Sequence, residues 1–109
     1  MRLLLAGLAI AAAAVVALPA LGATKSITVG DNFFRPASVS VSKGTTVKWV
    51  WHGAVAHNVV VKSGPQKFRS PIAGGNGFTF KHKMTRAGTY KIFCEVHGYA
   101  AMHMTLKVR

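Results

Sequence analysis

The chain has one cysteine, Cys94, and only two acidic residues, Asp31 and Glu95, in 109 residues. A single cysteine excludes an intramolecular disulfide, and in a compartment where disulfides form, a free thiol is a liability unless something uses it. No carboxylate pair and no separate nucleophile with a base offers itself for acid–base or covalent catalysis. Also absent after the first two dozen residues are internal repeats, low-complexity tracts and any long helical period. What is left has the length of one domain.

Against the two acids stand fourteen lysines and arginines, for a formal charge of +12. Such a surface is drawn to anions: an acidic protein, an anionic membrane or wall surface, or nucleic acid. Nucleic acid is excluded as a partner because the lysines recur without aromatic interleaving or a recognised motif, and because the N-terminus reads as an export signal. Met1-Arg2 precedes an uncharged run from Leu3 to Leu18, then Pro19-Ala20-Leu21-Gly22-Ala23. A basic start, apolar middle and small-residue end predict a secretory signal over residues 1–23, cleaved after Gly22 or Ala23. The alternative is a retained anchor, but spanning takes about 20 apolar residues and Pro19 interrupts this run. With no cysteine near the cleavage site, a lipid anchor is not expected. The expected product is residues 24–109, a monomer in the periplasm or another extracytoplasmic space, with peripheral membrane contact at most.

From Lys25 onward the apolar residues alternate, with Gly and Pro between short runs, which predicts an all-β domain: an antiparallel Greek-key sandwich or barrel. Val39 and Val41 alternate with serines, and Val47, Trp49 and Trp51 share a face opposite Lys48. Tyr90, Ile92 and Cys94 form another inward row. Met102, Met104, Leu106 and Val108 form the last, with His103, Thr105 and Lys107 outward. The stretch from Gly64 to Gly77, with four glycines and two prolines, reads as an extended surface loop with room for a short helical turn.

Between the last two runs lies Cys94-x-x-His97-x-x-x-x-Met102, and His57 lies at the end of an upstream run. Taken singly, these are a small buried hydrophobe, a loop histidine, a core filler and an edge histidine. Taken together, a thiolate, two imidazoles and a thioether suit one copper ion, in a trigonal His, His, Cys arrangement with a weak axial Met. That set leaves no position for a substrate, so the expected role is a carrier of single electrons and not an enzyme. Copper storage or delivery is the competing reading, from Met102-His103-Met104 with His52, His82 and Met84. Strand parity opposes it, since His103 points away from its two neighbours. A metal-free immunoglobulin-like module would leave Cys94 unexplained.

The chain resembles the plastocyanin branch of the cupredoxins, the blue copper proteins. The resemblance is carried by Phe34-x-Pro36, Gly44-x-x-Val47-x-Trp49, His57-Asn58, Gly88-x-Tyr90 and the Cys94-to-Met102 motif. The segment from Trp49 to Val59 is similar to halocyanin-like domains. The resemblance implies a type 1 site in which His57 and His97 bind through Nδ1, Cys94 as thiolate and Met102 weakly, with the Asn58 backbone N–H donating to the Cys94 sulfur. It also implies electron exchange through the exposed edge of His97, bordered by an apolar patch at Gly98, Tyr99, Ala100 and Ala101. Lysines around that patch would steer an acidic redox partner. Glu95 and Val96 inside the motif, and Met104 where a glycine is common, depart from the usual pattern.

Overall fold

The computed structural model describes residues 22–109, so the expected signal segment lies outside the described residues except for Gly22 and Ala23. Eight strands follow in order: β1 (Thr24–Gly30), β2 (Phe33–Arg35), β3 (Ser38–Val41), β4 (Thr46–His52), β5 (Val60–Ser63), β6 (Asn76–Lys83), β7 (Gly88–Phe93) and β8 (His103–Val108). They form two four-stranded sheets, β2-β1-β4-β6 and β3-β8-β7-β5. Among the described residues no helix is long and apolar enough to cross a membrane.

The alternation in the sequence becomes the interior. In β4, Val47, Trp49 and Trp51 are fully buried while Lys48 and Val50 are not. Tyr90 and Ile92 on β7 with Cys94 just beyond it, and Met104, Leu106 and Val108 on β8 with Met102 just before it, complete one contiguous core between the sheets. Burying such side chains contributes on the order of 1.5–3 kcal/mol each before the entropy of ordering them.

The all-β sandwich is as expected, but its pairing is mixed in direction and not antiparallel throughout: β1 runs parallel to β4 and β3 parallel to β8. Side-chain alternation is blind to strand direction. The connection from β1 to β4 passes through β2 and, in the other sheet, β3, and so has the crossover length a parallel pair needs. On the outer face of the first sheet this register sets Lys48 directly opposite Lys81.

The segment expected as an open loop with a helical turn contains no helix, and strand β6 already begins at Asn76. Residues 68–73 instead run antiparallel beside 57–61. Val61 N donates to Phe68 O, Ser70 N to Val59 O, and His57 and Ala73 exchange two backbone bonds of 2.9 and 3.0 Å. These pairings satisfy backbone groups that a helical turn would have closed locally.

Trp51 ties this segment to the sandwich, its Nε1–H donating to Ala73 O at 2.8 Å. Trp49 Nε1 is buried with no partner, and its ring packs on Phe68 and Phe80. The two Trp→Phe variants therefore separate. Trp51→Phe removes one of the two bonds that the Ala73 carbonyl accepts, the other coming from His57 N, and is expected to cost about 0.5–1.5 kcal/mol for the lost bond in addition to lost packing, whereas Trp49→Phe also removes an unsatisfied donor, which offsets part of its packing loss. Urea unfolding of both should find Trp51→Phe the less stable.

Candidate metal centre

His57, Cys94 and His97 converge at one end of the sandwich, each offering a ligand atom within 4.8 Å of the others. Cys94 is one residue beyond β7 and keeps its inward parity, so Sγ is fully buried. From Cys94 the chain turns twice: Gly98 N bonds to Cys94 O (2.9 Å) and Met102 N to Gly98 O (3.1 Å), with Gly98 at a φ of 87° that side-chain-bearing residues rarely adopt. Cys94 N then donates to Met102 O at 3.1 Å, bringing the buried Met102 beside the cysteine. His97, carried on the first turn, places Nδ1 3.6 Å from Cys94 Sγ.

His57 arrives from the other direction. It lies in the bridge to Ala73, three residues before β5, with Nδ1 3.9 Å from Cys94 Sγ and no exposed surface. The two imidazole rings are 4.9 Å apart. Nε2 of His57 lies 2.7 Å from Asp31 Oδ1, in the turn between β1 and β2. A carboxylate only accepts, so the His57 proton sits on Nε2 and the Nδ1 lone pair faces Cys94 and His97. Asp31 also accepts from Ala54 N (2.8 Å) and Val55 N (3.2 Å). The Ala54 bond first, then His57 and the Val55 bond, hold its carboxyl below the usual aspartate range. Gly53 makes room for it: a Cβ there would run into the carboxylate.

Glu95 closes the other side. Its N–H donates to Asn58 Oδ1 (2.8 Å), and Asn58 Nδ2 donates back to Glu95 Oε1 (3.0 Å). The residues that follow Cys94 and His57 are thereby fastened to each other. Arg69 also pairs with Glu95 and, ahead of Asn58, lowers its carboxyl below the usual glutamate range. The expected bond from the Asn58 backbone N–H to Cys94 Sγ is not among the hydrogen bonds of the described residues; Asn58 acts here through its side chain.

The donors fit a soft, redox-active metal: two imidazole nitrogens and a thiol converge, with a thioether residue alongside. The histidines of the competing copper-delivery reading are not part of this group. His103 faces outward, stacked on Tyr99 with Nδ1 2.7 Å from Tyr99 O; His82 stacks on Phe68; Met84 is in the core. Asp31 and Arg69 are the functional residues that motif spacing missed. The only advance signal for Asp31 was its rarity as one of two acids.

Residues 23–109 match the family model described as copper binding proteins, plastocyanin/azurin family. The chain belongs to the plastocyanin/azurin family. A plastocyanin from Scenedesmus fuscus is 34% identical over 88 residues, covering 73% of this chain and 90% of that protein. A halocyanin from Natronomonas pharaonis is 38% identical over 74 residues, 64% of this chain and 44% of the other. Among solved structures, a purple cupredoxin from Nitrosopumilus maritimus superposes with a TM-score of 0.67 at 26% identity, covering 78% of this chain and 99% of that one. The cofactor of this plastocyanin-like chain is copper.

Because the Glu95 carboxyl is held below its ordinary value, its contribution to stability is fully present above that value and is lost as pH falls through the lowered one. Arg69→Ala removes the main cause. The variant should melt below the parent at pH 7, and the gap between the two melting curves should close progressively as pH falls below the ordinary glutamate value.

Proposed function

We propose that this protein is an exported blue copper electron carrier, holding one copper through His57, Cys94, His97 and Met102. The convergence of two histidine Nδ1 atoms on the one buried cysteine carries this reading. When bound, copper supplies a Cu(I)/Cu(II) couple that accepts or gives one electron. The chain supplies a fixed frame. His57 is held from behind by Asp31, Cys94 and Met102 are held together by a backbone bond, and Asn58 and Glu95 join the two ligand-bearing segments. Ligands held in this way move little between oxidation states, which favours electron transfer over binding and release of the ion.

Electrons would pass through His97, which is half-buried at the surface while His57 is enclosed. The exposed large apolar residues of the described chain are Val55, Ile72 and Val96, neighbours in sequence of Ala54, Ala73 and His97 at this end of the molecule. With Gly98, Ala100 and Ala101 they give the surface around His97 an apolar, small-residue character on which a redox partner can seat. Beyond it the surface is cationic, so the partner is an acidic redox protein met outside the cytoplasm, and the carrier works as a monomer.

Adding Cu(II) to the purified protein should produce an intense red-region thiolate-to-copper band with a narrow copper hyperfine splitting, lost on adding ascorbate. Cys94→Ser should abolish the band. A pale protein that retains Cu(I) equally well with serine at 94 would instead favour copper delivery.

The rate of electron exchange with an acidic redox protein, followed by stopped flow, should fall steeply as salt rises from about 0.01 M to 0.15 M, where the screening length shrinks from about 30 Å to 8 Å. With a basic partner the salt dependence should reverse in sign.

A further inference from the structure

The chain's only two negative side chains both lie against the candidate copper ligands. Fourteen cationic residues are available to attract carboxylates elsewhere, yet Asp31 reaches Nε2 of His57 and Glu95 sits between Cys94 and Arg69. The two carboxylates are not equivalent. Glu95 is paired with the Arg69 guanidinium, so its charge is largely cancelled at the site. Asp31 has no lysine or arginine partner among the described ion pairs. Its bonds run to two backbone N–H groups and to His57 itself.

We propose that Asp31 is the positioning residue that sets the reduction potential of the copper centre, while Arg69 silences the corresponding effect of Glu95. The inference rests on the copper reading given above. Its physical basis is direct: a carboxylate accepting the Nε2 proton fixes the imidazole's tautomer and rotation and makes Nδ1 a stronger donor. Negative charge transmitted through His57 favours the more positive oxidation state, so the Asp31 bond stabilises Cu(II) relative to Cu(I) and draws the potential down. The cradle is built for this acid. Asp31 Oδ2 takes the Ala54 N–H, Oδ1 takes Val55 N–H and His57, and Gly53 leaves the space. Asparagine is nearly the same shape, but it removes the charge and turns an NH2 group toward either the Ala54 N–H or the other donors.

The test compares reduction potentials, and the Cu(I) and Cu(II) affinities from chelator competition, for the parent, Asp31→Asn, Glu95→Gln and Arg69→Gln at one ionic strength. Asp31→Asn should weaken Cu(II) more than Cu(I), by about tenfold or more in the ratio, a rise in potential of about 59 mV per tenfold. Glu95→Gln should move the potential much less. Arg69→Gln, which uncovers Glu95, should lower it. A purely structural role for Asp31 would weaken both oxidation states alike and leave the potential where it was, and that outcome, or a fall in potential, overturns the proposal. Should Asp31→Asn fail to fold, the nitrogen-15 spectrum of the parent's His57 ring decides. A proton on Nε2, protected from exchange relative to the ring proton of exposed His103, supports the proposal, and a proton on Nδ1 or unprotected exchange overturns it. If the parent gives no blue band with Cu(II), the copper reading has failed before any variant is compared.

Discussion

The antiparallel ladder between β7 and β8 ends in one backbone bond, from Cys94 N to Met102 O, and the placement of the candidate ligand loop is counted from it. Below the bond, strand parity is enforced by the core, because a slip of β8 by one residue would turn Met104, Leu106 and Val108 outward together. Above it, the chain is free of the ladder and makes two turns that return Met102 to its register. The position of the thiol is thus a consequence of core packing several residues away, and the loop adds His97 without having to define where Cys94 lies.

Much of this was legible in the sequence because it depends on local periods. Alternation located the inward rows of β4, β7 and β8, and the spacing from Cys94 to Met102 follows from two strand ends joined by a short turn. His57 was legible as a residue type at the end of an apolar run, though the structure holds it in a bridge to Ala73 and not in a strand. Direction of pairing was not legible, since parallel and antiparallel neighbours bury the same face. Nor was the run from Gly64 to Gly77, because glycine and proline interrupt a helix and an extended chain alike; only the partner at 57–61 distinguishes them. Asp31, Asn58, Glu95 and Arg69 meet across wide sequence separations, and no period in the chain records such meetings.

The two buried polar side chains near the centre, His57 and Asn58, follow one logic, which is that each is used from both ends. His57 turns one nitrogen to the thiol and the other to Asp31; Asn58 accepts from the Glu95 backbone and donates to its carboxylate. In a region where water is excluded, a half-satisfied histidine or amide would be costly, and a fully satisfied one resists rotation. Rigidity of the candidate ligands is therefore obtained from hydrogen bonds at the top of the sandwich and from close packing below.

The register that sets Lys48 opposite Lys81 bears on how the molecule behaves toward its own kind. Strand β6, with Lys81 and Lys83, is an edge of its sheet, where a strand from another molecule could add. A second copy aligning there would bring its own lysines against a strand that carries Lys81 and Lys83, with Lys48 opposite Lys81 and no acid on that strand. Like charge thus opposes pairing of copies through this edge, most strongly where salt is low.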